Sequence, residues 1–190
     1  MKENTKSGRL EGLVCRAHYI HDRCKPLQVA ITLITLSVKK GKILQSRGDL
    51  NSKVYMVESG LLRSYTVDSK GKEHIYMFGP ENWIVTDNCP PGSPCQLYID
   101  AIEDAVLKVA TKEELLKETP DINALLRRLN AMQTRIVMLM SANAKERYEH
   151  FIQTYPDIIQ RVPQRMIASY LGITPEALSR VRKELSHRQQ

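Results

Sequence analysis

The side chains whose types and spacing most clearly predict chemistry lie between residues 163 and 185. Thr174 and Pro175 are a strong start signal for a helix, because threonine caps a helix well and proline suits its first position. The polar residues opposite the apolar stripe of that helix are Glu176, Ser179, Arg180 and Lys183. Arginine donates two hydrogen bonds to guanine, and a carboxylate accepts one from the cytosine amino group. This face is therefore suited to reading base edges in DNA.

A second helix, just before the first, is needed to hold that face in place. A helix from Pro163 to Leu171 meets this need, followed by a turn at Gly172, because glycine tolerates the positive φ of a helix end. Ala168 is small where the helix that runs from Pro175 to His187 must approach. The apolar residues that would fill the angle between the two helices are Ile167, Leu171, Ile173, Leu178 and Val181. The pattern predicts a helix-turn-helix, and the alternative is an ordinary helical hairpin.

The charge distribution also favours a polyanionic partner. The net charge is +7, and residues 121–190 hold 11 Lys and Arg against 6 Asp and Glu. Basic side chains bind phosphate with release of counterions, although a basic surface is also common on proteins that bind no nucleic acid. Gln164 and Arg165, at the start of the helix from Pro163 to Leu171, are added to the polar face described above. The predicted DNA-binding residues are therefore Gln164, Arg165, Thr174, Glu176, Ser179, Arg180 and Lys183.

A longer helix is predicted upstream, over 120–143. Thr119 can cap it, Pro120 suits its first position, and Asp121 favours the positive end of the helix dipole. Apolar residues then recur at alternating spacings of three and four, namely Ile122, Leu125, Leu129, Met132, Ile136 and Leu139. This heptad seam predicts the interface of a homodimer, in which Asn143 either fixes the register from a buried position or lies at the frayed end of the helix. The alternative is one amphipathic helix lying on its own core.

Residues 32–107 alternate between short strand-like runs and turn signals. The runs are Ile43-Leu44, Lys53 to Glu58, Leu61 to Val67 and His74 to Phe78. Several short strands with regular turns predict an antiparallel roll, sandwich or barrel. The predicted fold class is therefore α+β. It has a β domain with a helical N-terminal segment over 1–119, a dimerisation helix over 120–143 and a helical DNA-binding domain over 144–190.

The cysteines are expected to be reduced. No stretch has the length and apolarity of a signal peptide or a membrane span, which predicts a cytoplasmic protein with no membrane partner. The potential zinc ligands of the N-terminal segment are Cys15, His18, His21 and Cys24. These residues are spaced three apart, so on a helix their side chains would point in progressively different directions. No metal site is therefore predicted. Cys89 and Cys95 flank a Pro-Pro-Gly loop, where the alternatives are two packed thiols and a redox pair.

The sequence contains no catalytic motif. It lacks a nucleophile elbow, a phosphate-binding loop, a zinc-protease helix and a dinucleotide fingerprint. A protein that is not an enzyme and acts as a DNA-binding regulator is therefore predicted. The alternative is a small-molecule-binding module, for a cyclic nucleotide or another metabolite, whose terminal helices contact other proteins.

The order of these parts resembles that of the CRP/FNR family of bacterial transcription regulators, over about residues 30–187. The segments similar to the family's β-roll, a cyclic-nucleotide-binding-like jelly roll, are Gly41 to Asp49, Tyr55 to Gly60 and Lys70 to Glu73. Gln164 to Gly172 and Thr174 to Arg180 resemble its two DNA-recognition elements. The resemblance implies a homodimer through the long helix and a contact with RNA polymerase. It also implies a palindromic site in double-stranded DNA, read by Glu176, Ser179 and Arg180.

The sequence departs from the family pattern in two places. The segment Trp83 to Asp87 lacks the Gly-Glu pair of cyclic-nucleotide binders, and no arginine between Arg63 and Arg127 is available to hold a cyclic phosphate. A buried phosphate without such a cation is strongly disfavoured, so cAMP is not expected as a cofactor and the effector is left open. The chain ends five residues after Leu185, so the family's β-hairpin wing is expected to be missing.

Overall fold

The computed structural model describes residues 33–117 and 121–186. The run from Cys15 to Cys24, the helix signals at Thr119 and Pro120, and the last four residues lie outside this part of the chain. The predictions made for them therefore stay predictions, including the missing wing. None of the described helices is both long enough and apolar enough to cross a membrane.

The first of two compact units holds residues 33–66 and 76–117 and is built from strands. These are β1 (Ile34–Val38), β2 (Ile43–Gln45), β3 (Lys53–Ser59), β4 (Leu62–Val67), β5 (Glu73–Gly79), β6 (Ile84–Thr86), β7 (Tyr98–Ala101) and β8 (Ala105–Thr111). They form two antiparallel sheets, in the orders β1-β8-β3-β6 and β2-β7-β4-β5. The prediction of an antiparallel β-roll is confirmed. A short helix, α1 (Lys112–Leu116), follows β8.

Apolar side chains from both sheets form the core of the roll. The buried members of this cluster are Val38, Tyr55, Val57, Leu62, Val85, Ile99, Ala101, Ala105, Leu107 and Val109. The β3–β8 register places Val57 opposite Leu107, and both are fully buried. Each such aliphatic side chain stabilises the fold by about 1.5–3 kcal/mol on burial.

A glycine makes the tight connection between β3 and β4 possible. Gly60 has φ 89°, in the left-handed region that favours glycine. A Cβ atom at this position would lie 2.3 Å from the carbonyl oxygen of Asp104. The backbone of this turn therefore approaches the β7–β8 connection more closely than any side chain would allow.

The second unit holds residues 67–75 and 121–186 and is mainly helical. Its helices are α2 (Ile122–Ser141), α3 (Ala144–Thr154), α4 (Gln164–Leu171) and α5 (Pro175–Ser186). Helix α2 begins at Ile122. The Asp121 carboxylate accepts a hydrogen bond from the Ala124 amide at 3.1 Å, so Asp121 is the N-cap and not a residue of the first turn.

Asn143 does not continue the heptad seam. Its side chain accepts hydrogen bonds from the amides of Lys145 and Glu146, at 3.0 and 3.1 Å, and it caps α3. The Glu146 carboxylate accepts in return from the Asn143 amide at 2.8 Å, which completes a capping box. Satisfying these amides ends α2 at Ser141, because a capping residue leaves helical geometry.

Three aromatic rings organise the core of the second unit. Phe151, Tyr155 and Tyr170 lie with their ring centroids 5.4 Å apart in each pair. Tilted and edge-on contacts of this kind stabilise beyond their area burial, by about 0.5–1.5 kcal/mol each. They join α3 to α4, the first helix of the predicted DNA-binding motif.

Candidate nucleic-acid interface

The outer face of α5 carries the predicted base-reading side chains. Leu178 and Val181 are 0% and 6% exposed, which fixes the inner face of the helix. The side chains exposed on the other side are Glu176, Ser179, Arg180 and Lys183. Residues three and four apart on a helix share one side, so these four form a continuous polar row.

Thr174 and Glu176 shape the start of this helix. The Thr174 hydroxyl accepts a hydrogen bond from the Ala177 amide at 3.2 Å. Hydrogen bonds from its own backbone amide and from the Thr174 hydroxyl, together with the charge of Arg180, lower the pKa of the Glu176 carboxyl. Glu176 is therefore an ionised hydrogen-bond acceptor at neutral pH, next to a permanently charged arginine.

The turn between α4 and α5 follows the prediction in detail. Gly172 caps α4 with φ 65° and ψ 31°, the left-handed conformation expected at this position. The Ile173 amide donates to the Ala168 carbonyl at 3.0 Å and closes the turn. Of the predicted filling residues, Ile167, Leu171, Leu178 and Val181 are buried, and Ile173 is half-buried. Ala168 is 1% exposed, so a larger side chain there would meet a filled interior.

The start of α4 presents the remaining predicted residues to solvent. Gln164 and Arg165 are exposed, and Pro163 precedes them as an N-cap whose side chain offers no hydrogen bond. Two further basic residues, Arg161 and Arg182, are half-buried. All seven predicted DNA-binding side chains are thus exposed on α4, α5 and the turn that joins them.

Arg147 joins the ends of two helices, and its role was not predicted from the sequence. Its guanidinium donates to the carbonyls of Leu139, Ala142 and Leu171, at 2.8, 2.9 and 3.1 Å. The first two are at the end of α2 and the third is at the end of α4. A cation suits these positions because helix C-terminal carbonyls carry partial negative charge. Arg147 therefore positions the turn, although nothing in its local sequence indicates this.

A second arginine links α2 to α4 and to the tip of the β4–β5 hairpin. Arg135 donates to the carbonyls of Ile75 and Tyr170, both at 3.3 Å, and lies 4.0 Å over the Tyr170 ring. The hydroxyl of Ser169 donates to the Glu73 carbonyl at 2.7 Å and accepts from the Ile75 amide at 3.0 Å. The hairpin tip is thereby hydrogen-bonded to the first helix of the motif.

The predicted dimer seam lies along α2 and is largely uncovered in the single chain. Ile122, Leu125, Leu129 and Ile136 are 67%, 54%, 51% and 57% exposed. Met132 and Leu139, the other two predicted members, are half-buried. Further exposed apolar residues on the same helix are Leu126, Val137 and Met140. An uncovered apolar surface of this length is unusual on a soluble monomer.

The β6–β7 loop of the roll, residues 87–97, is organised by an internal anion. The Asp87 carboxylate accepts hydrogen bonds from the amides of Cys89, Gln96 and Leu97, at 3.1, 2.7 and 2.8 Å. Asp87 is 4% exposed. The backbone donors that converge on this point are therefore bound to a carboxylate of the chain itself.

Arg63 is the one buried arginine among the described residues, and it is paired. It donates to both carboxylate oxygens of Asp100, opposite it in the β4–β7 register, at 2.8 and 2.9 Å. Its guanidinium also lies 4.2 Å over the ring of Tyr65. A bidentate, stacked arginine in this arrangement is a strong internal contact.

Known proteins resemble this chain in sequence. A family model described as the cyclic nucleotide-binding domain matches residues 35–119. The nitrogen fixation regulation protein FixK of Rhizobium meliloti (strain 1021) is 26% identical over 173 residues, which covers 82% of this chain and 76% of FixK. The fumarate and nitrate reduction regulatory protein of Escherichia coli (strain K12) is 26% identical over 166 residues. That match covers 76% of this chain and 65% of the relative's length.

The fold is also shared with solved structures. One is TTHA1359, a transcriptional regulator of the CRP/FNR family from Thermus thermophilus, with a TM-score of 0.66 and 20% sequence identity. The match covers 81% of this chain and 86% of that one. In its matched domain and in its regulatory relatives, this chain is similar to the CRP/FNR family of transcription regulators, and it shares the fold of that solved member.

Proposed function

We propose that the protein is a homodimeric transcription regulator that binds specific palindromic sites in double-stranded DNA. The observation that carries the proposal is the exposed polar row on α5, supported from behind by the buried residues that join α5 to α4. A helix with this arrangement fits the major groove with its first turns against base edges. A regulator of this kind acts in the cytoplasm, where the sequence also predicts the protein.

Each residue of the row has a role suited to its chemistry. Arg180 donates two hydrogen bonds to guanine, and ionised Glu176 accepts one from a cytosine amino group. Ser179 lies between them in sequence and is suited to a base or a phosphate. Arg165 and Lys183 neutralise phosphates on either side of the groove, which adds affinity without sequence preference.

The homodimer would form along α2. Its exposed seam has the spacing of a coiled coil, and a second copy would cover Ile122, Leu125 and Leu129 by pairing the same residues across a two-fold axis. A two-fold dimer requires two equivalent half-sites, which is the physical reason to expect a palindrome. Contact with RNA polymerase is inferred from the family and has no surface assigned to it.

The regulator would act without cAMP. In the β6–β7 loop, the amides that could bind a phosphate already donate to the Asp87 carboxylate. The buried guanidinium of Arg63 is paired with Asp100. A phosphate entering this region would need to displace one carboxylate and would gain no unpaired buried arginine.

Selection from a random DNA library with the purified protein tests the proposal directly. The expected result is an enriched sequence with two-fold symmetry. Arg180→Ala should weaken binding to it by about 1–3 kcal/mol while changing binding to random DNA much less. Arg47→Ala, which removes an exposed arginine of the roll, is the matched control and should leave both affinities unchanged. Equal losses on selected and random DNA would contradict base reading by Arg180.

A second candidate function is favoured by the match of residues 35–119 to the cyclic nucleotide-binding domain. In that case the roll would bind a nucleotide and α3 to α5 would contact another protein. Calorimetric titration with cAMP and with cGMP separates the two functions. Binding at micromolar concentration would overturn the cAMP-independent part of the proposal, and a failed DNA selection would overturn the rest.

A further inference from the structure

Two thiols lie close together under the β6–β7 loop. Cys89 and Cys95 are 8% and 2% exposed. Their Sγ atoms and a carboxylate oxygen of Asp87 all lie within 4.8 Å of one another. A disulfide bond is about 2.05 Å long, so a movement of less than about 3 Å would join the two sulfurs.

Lys112, at the start of α1, distinguishes the two thiols. Its ammonium group is buried, donates to the Cys89 carbonyl and lies 3.3 Å from the Cys89 Sγ. Within residues 33–117 and 121–186, the structure pairs this ammonium with no carboxylate. A buried cation is stabilised by a nearby anion, and a neighbouring lysine favours the thiolate form of cysteine. Cys89 is therefore the thiol prepared to react as a nucleophile.

Cys95 differs from Cys89 in the state of its thiol and in the way its backbone is held. Its burial, followed by the adjacent Cys89, raises the pKa of the Cys95 thiol to about 11, so this thiol is protonated at neutral pH. Its backbone is held by two hydrogen bonds of 2.8 Å, from its amide to the Asp49 carbonyl and from the Gly48 amide to its carbonyl. Cys95 is thus fixed, while the Pro-Pro-Gly segment beside Cys89 connects the two positions.

An open groove gives small molecules access to the pair. Its lining includes Arg47, Ser93, Pro94 and Gln96 together with both cysteines. A hydroperoxide is small enough to enter such a groove, and the exposed Arg47 leaves its rim positively charged.

We propose that Cys89 and Cys95 are a redox-active pair that a hydroperoxide converts into an intramolecular disulfide. The Cys89 thiolate attacks the distal peroxide oxygen, the O–O bond breaks, and Cys89 becomes a sulfenic acid while the alkoxide leaves and takes up a proton. Cys95 then attacks the sulfenic sulfur, the S–S bond forms, and the hydroxyl leaves with the Cys95 proton as water. Two thiols lose two electrons, and one peroxide is reduced to an alcohol and water.

A metal ion is the competing occupant of the same three side chains, and the surroundings oppose it. The Asp87 carboxylate already accepts three backbone hydrogen bonds, and the Lys112 ammonium would repel a divalent cation next to Cys89. Unlike a bound metal ion, a disulfide needs no oxygen ligand and adds no positive charge. It is therefore the better match to these two cysteines.

The test uses the full-length, reduced protein exposed to hydrogen peroxide, then unfolded, alkylated and digested with trypsin. Cys89 and Cys95 fall in one tryptic peptide, residues 73–108, apart from Cys15 and Cys24. The expected product is this peptide with no alkyl group and a mass lower by two hydrogens, restored by dithiothreitol. This readout does not depend on DNA binding, so it succeeds or fails independently of the proposed function.

Variants resolve the roles of the three residues. Cys95→Ser should accumulate a sulfenic acid at Cys89 that dimedone traps, and Cys89→Ser should leave the Cys95 thiol unreacted. Lys112→Met should slow oxidation about tenfold, because it removes the cation that lies 3.3 Å from the reacting sulfur of Cys89. Lys53→Met, at an exposed lysine of β3, is the control and should not change the rate. Thermal unfolding establishes that each variant is folded.

The wild-type protein alone decides the proposal if a variant does not fold. Persistent alkylation of both cysteines after treatment with peroxide and with oxidised glutathione would overturn it. Disulfides formed only with Cys15 or Cys24 would also overturn it. So would a stoichiometric zinc ion that protects both thiols until a chelator removes it, which would assign a metal site instead.

Discussion

The β6–β7 loop and the α4–α5 motif each gather several polar side chains, but they use them in opposite ways. In the loop, Asp87 and Lys112 are buried and each has hydrogen-bonding partners within the roll. On α5, Glu176, Arg180 and Lys183 point into solvent. The comparison shows that polar groups with internal partners stabilise the fold. Polar groups that have no buried partner are available to bind an external ligand. Substitutions in the two regions should therefore affect different measurements.

The largest expected effect is in the loop. Asp87→Ala should lower the free energy of unfolding by about 3 kcal/mol or more, because three backbone amides lose a charged acceptor and stay buried. Urea denaturation measures this. Asp157→Ala, at an exposed aspartate, is the control and should change stability by less than about 0.5 kcal/mol. Equal stabilities of the two variants would remove the proposed distinction between buried and exposed polar groups.

The next effect concerns Arg147, which lies behind the exposed face. Arg147→Met keeps much of the side-chain volume but removes donors to three carbonyls, so a loss of about 2 kcal/mol in unfolding free energy is expected. DNA affinity should fall as well, because the end of α4 loses its support. Gln133→Met, at an exposed residue of α2, is the control and should change stability by less than about 0.5 kcal/mol. Unchanged stability in Arg147→Met would mean that the turn is held by apolar packing alone.

A smaller effect is expected at Thr174. This residue has a partner within the fold, because it caps α5, and it is also exposed to solvent. Thr174→Ala should cost about 1 kcal/mol of stability, the usual value of an N-cap hydrogen bond. Thr174→Ser keeps the hydroxyl and should restore most of it. Thermal unfolding of the two variants gives the difference, and a serine variant as unstable as the alanine variant would contradict the capping role.

The smallest effect is a pH dependence within the second unit. Partial burial, and then the charge of Arg135, lower the pKa of His150 below its ordinary value of 6.5. The unfolded chain therefore takes up a proton at a higher pH than the folded chain does. Stability from this group is complete above pH 6.5 and decreases as the pH falls below it. His150→Gln should flatten the curve of unfolding midpoint against pH between 7 and 5.5, and an unchanged slope would assign that dependence to other groups.

Much of the candidate DNA-binding site is predictable because its signals are local. The start signal at Thr174, the glycine at the turn and the spacing of Leu178 and Val181 lie within one short segment. Four strands, β2 to β5, are likewise indicated by short apolar runs next to clear turns. Helix capping and side-chain periodicity depend on neighbours in sequence, and a single sequence contains that information.

Other parts of the roll are not indicated by local signals. The strands β1, β6, β7 and β8 and the short helix α1 were not predicted individually. The β7 strand, Tyr98–Ala101, includes a buried aspartate, and its partner Arg63 comes 37 residues earlier. An aspartate is disfavoured in a strand unless such a partner is present, and only the folded chain brings the two together.

By itself, the sequence determined the order of the parts, the helix-turn-helix and the exposed row that would read DNA, because periodicity sets which side of a helix is buried. The tertiary structure alone decided that Arg147 joins the ends of α2 and α4, and that Cys89, Cys95 and Lys112 meet under one loop. These contacts depend on distances between residues far apart in the chain. The packing of the apolar cores sets these distances, and the identities of the contacting residues alone do not.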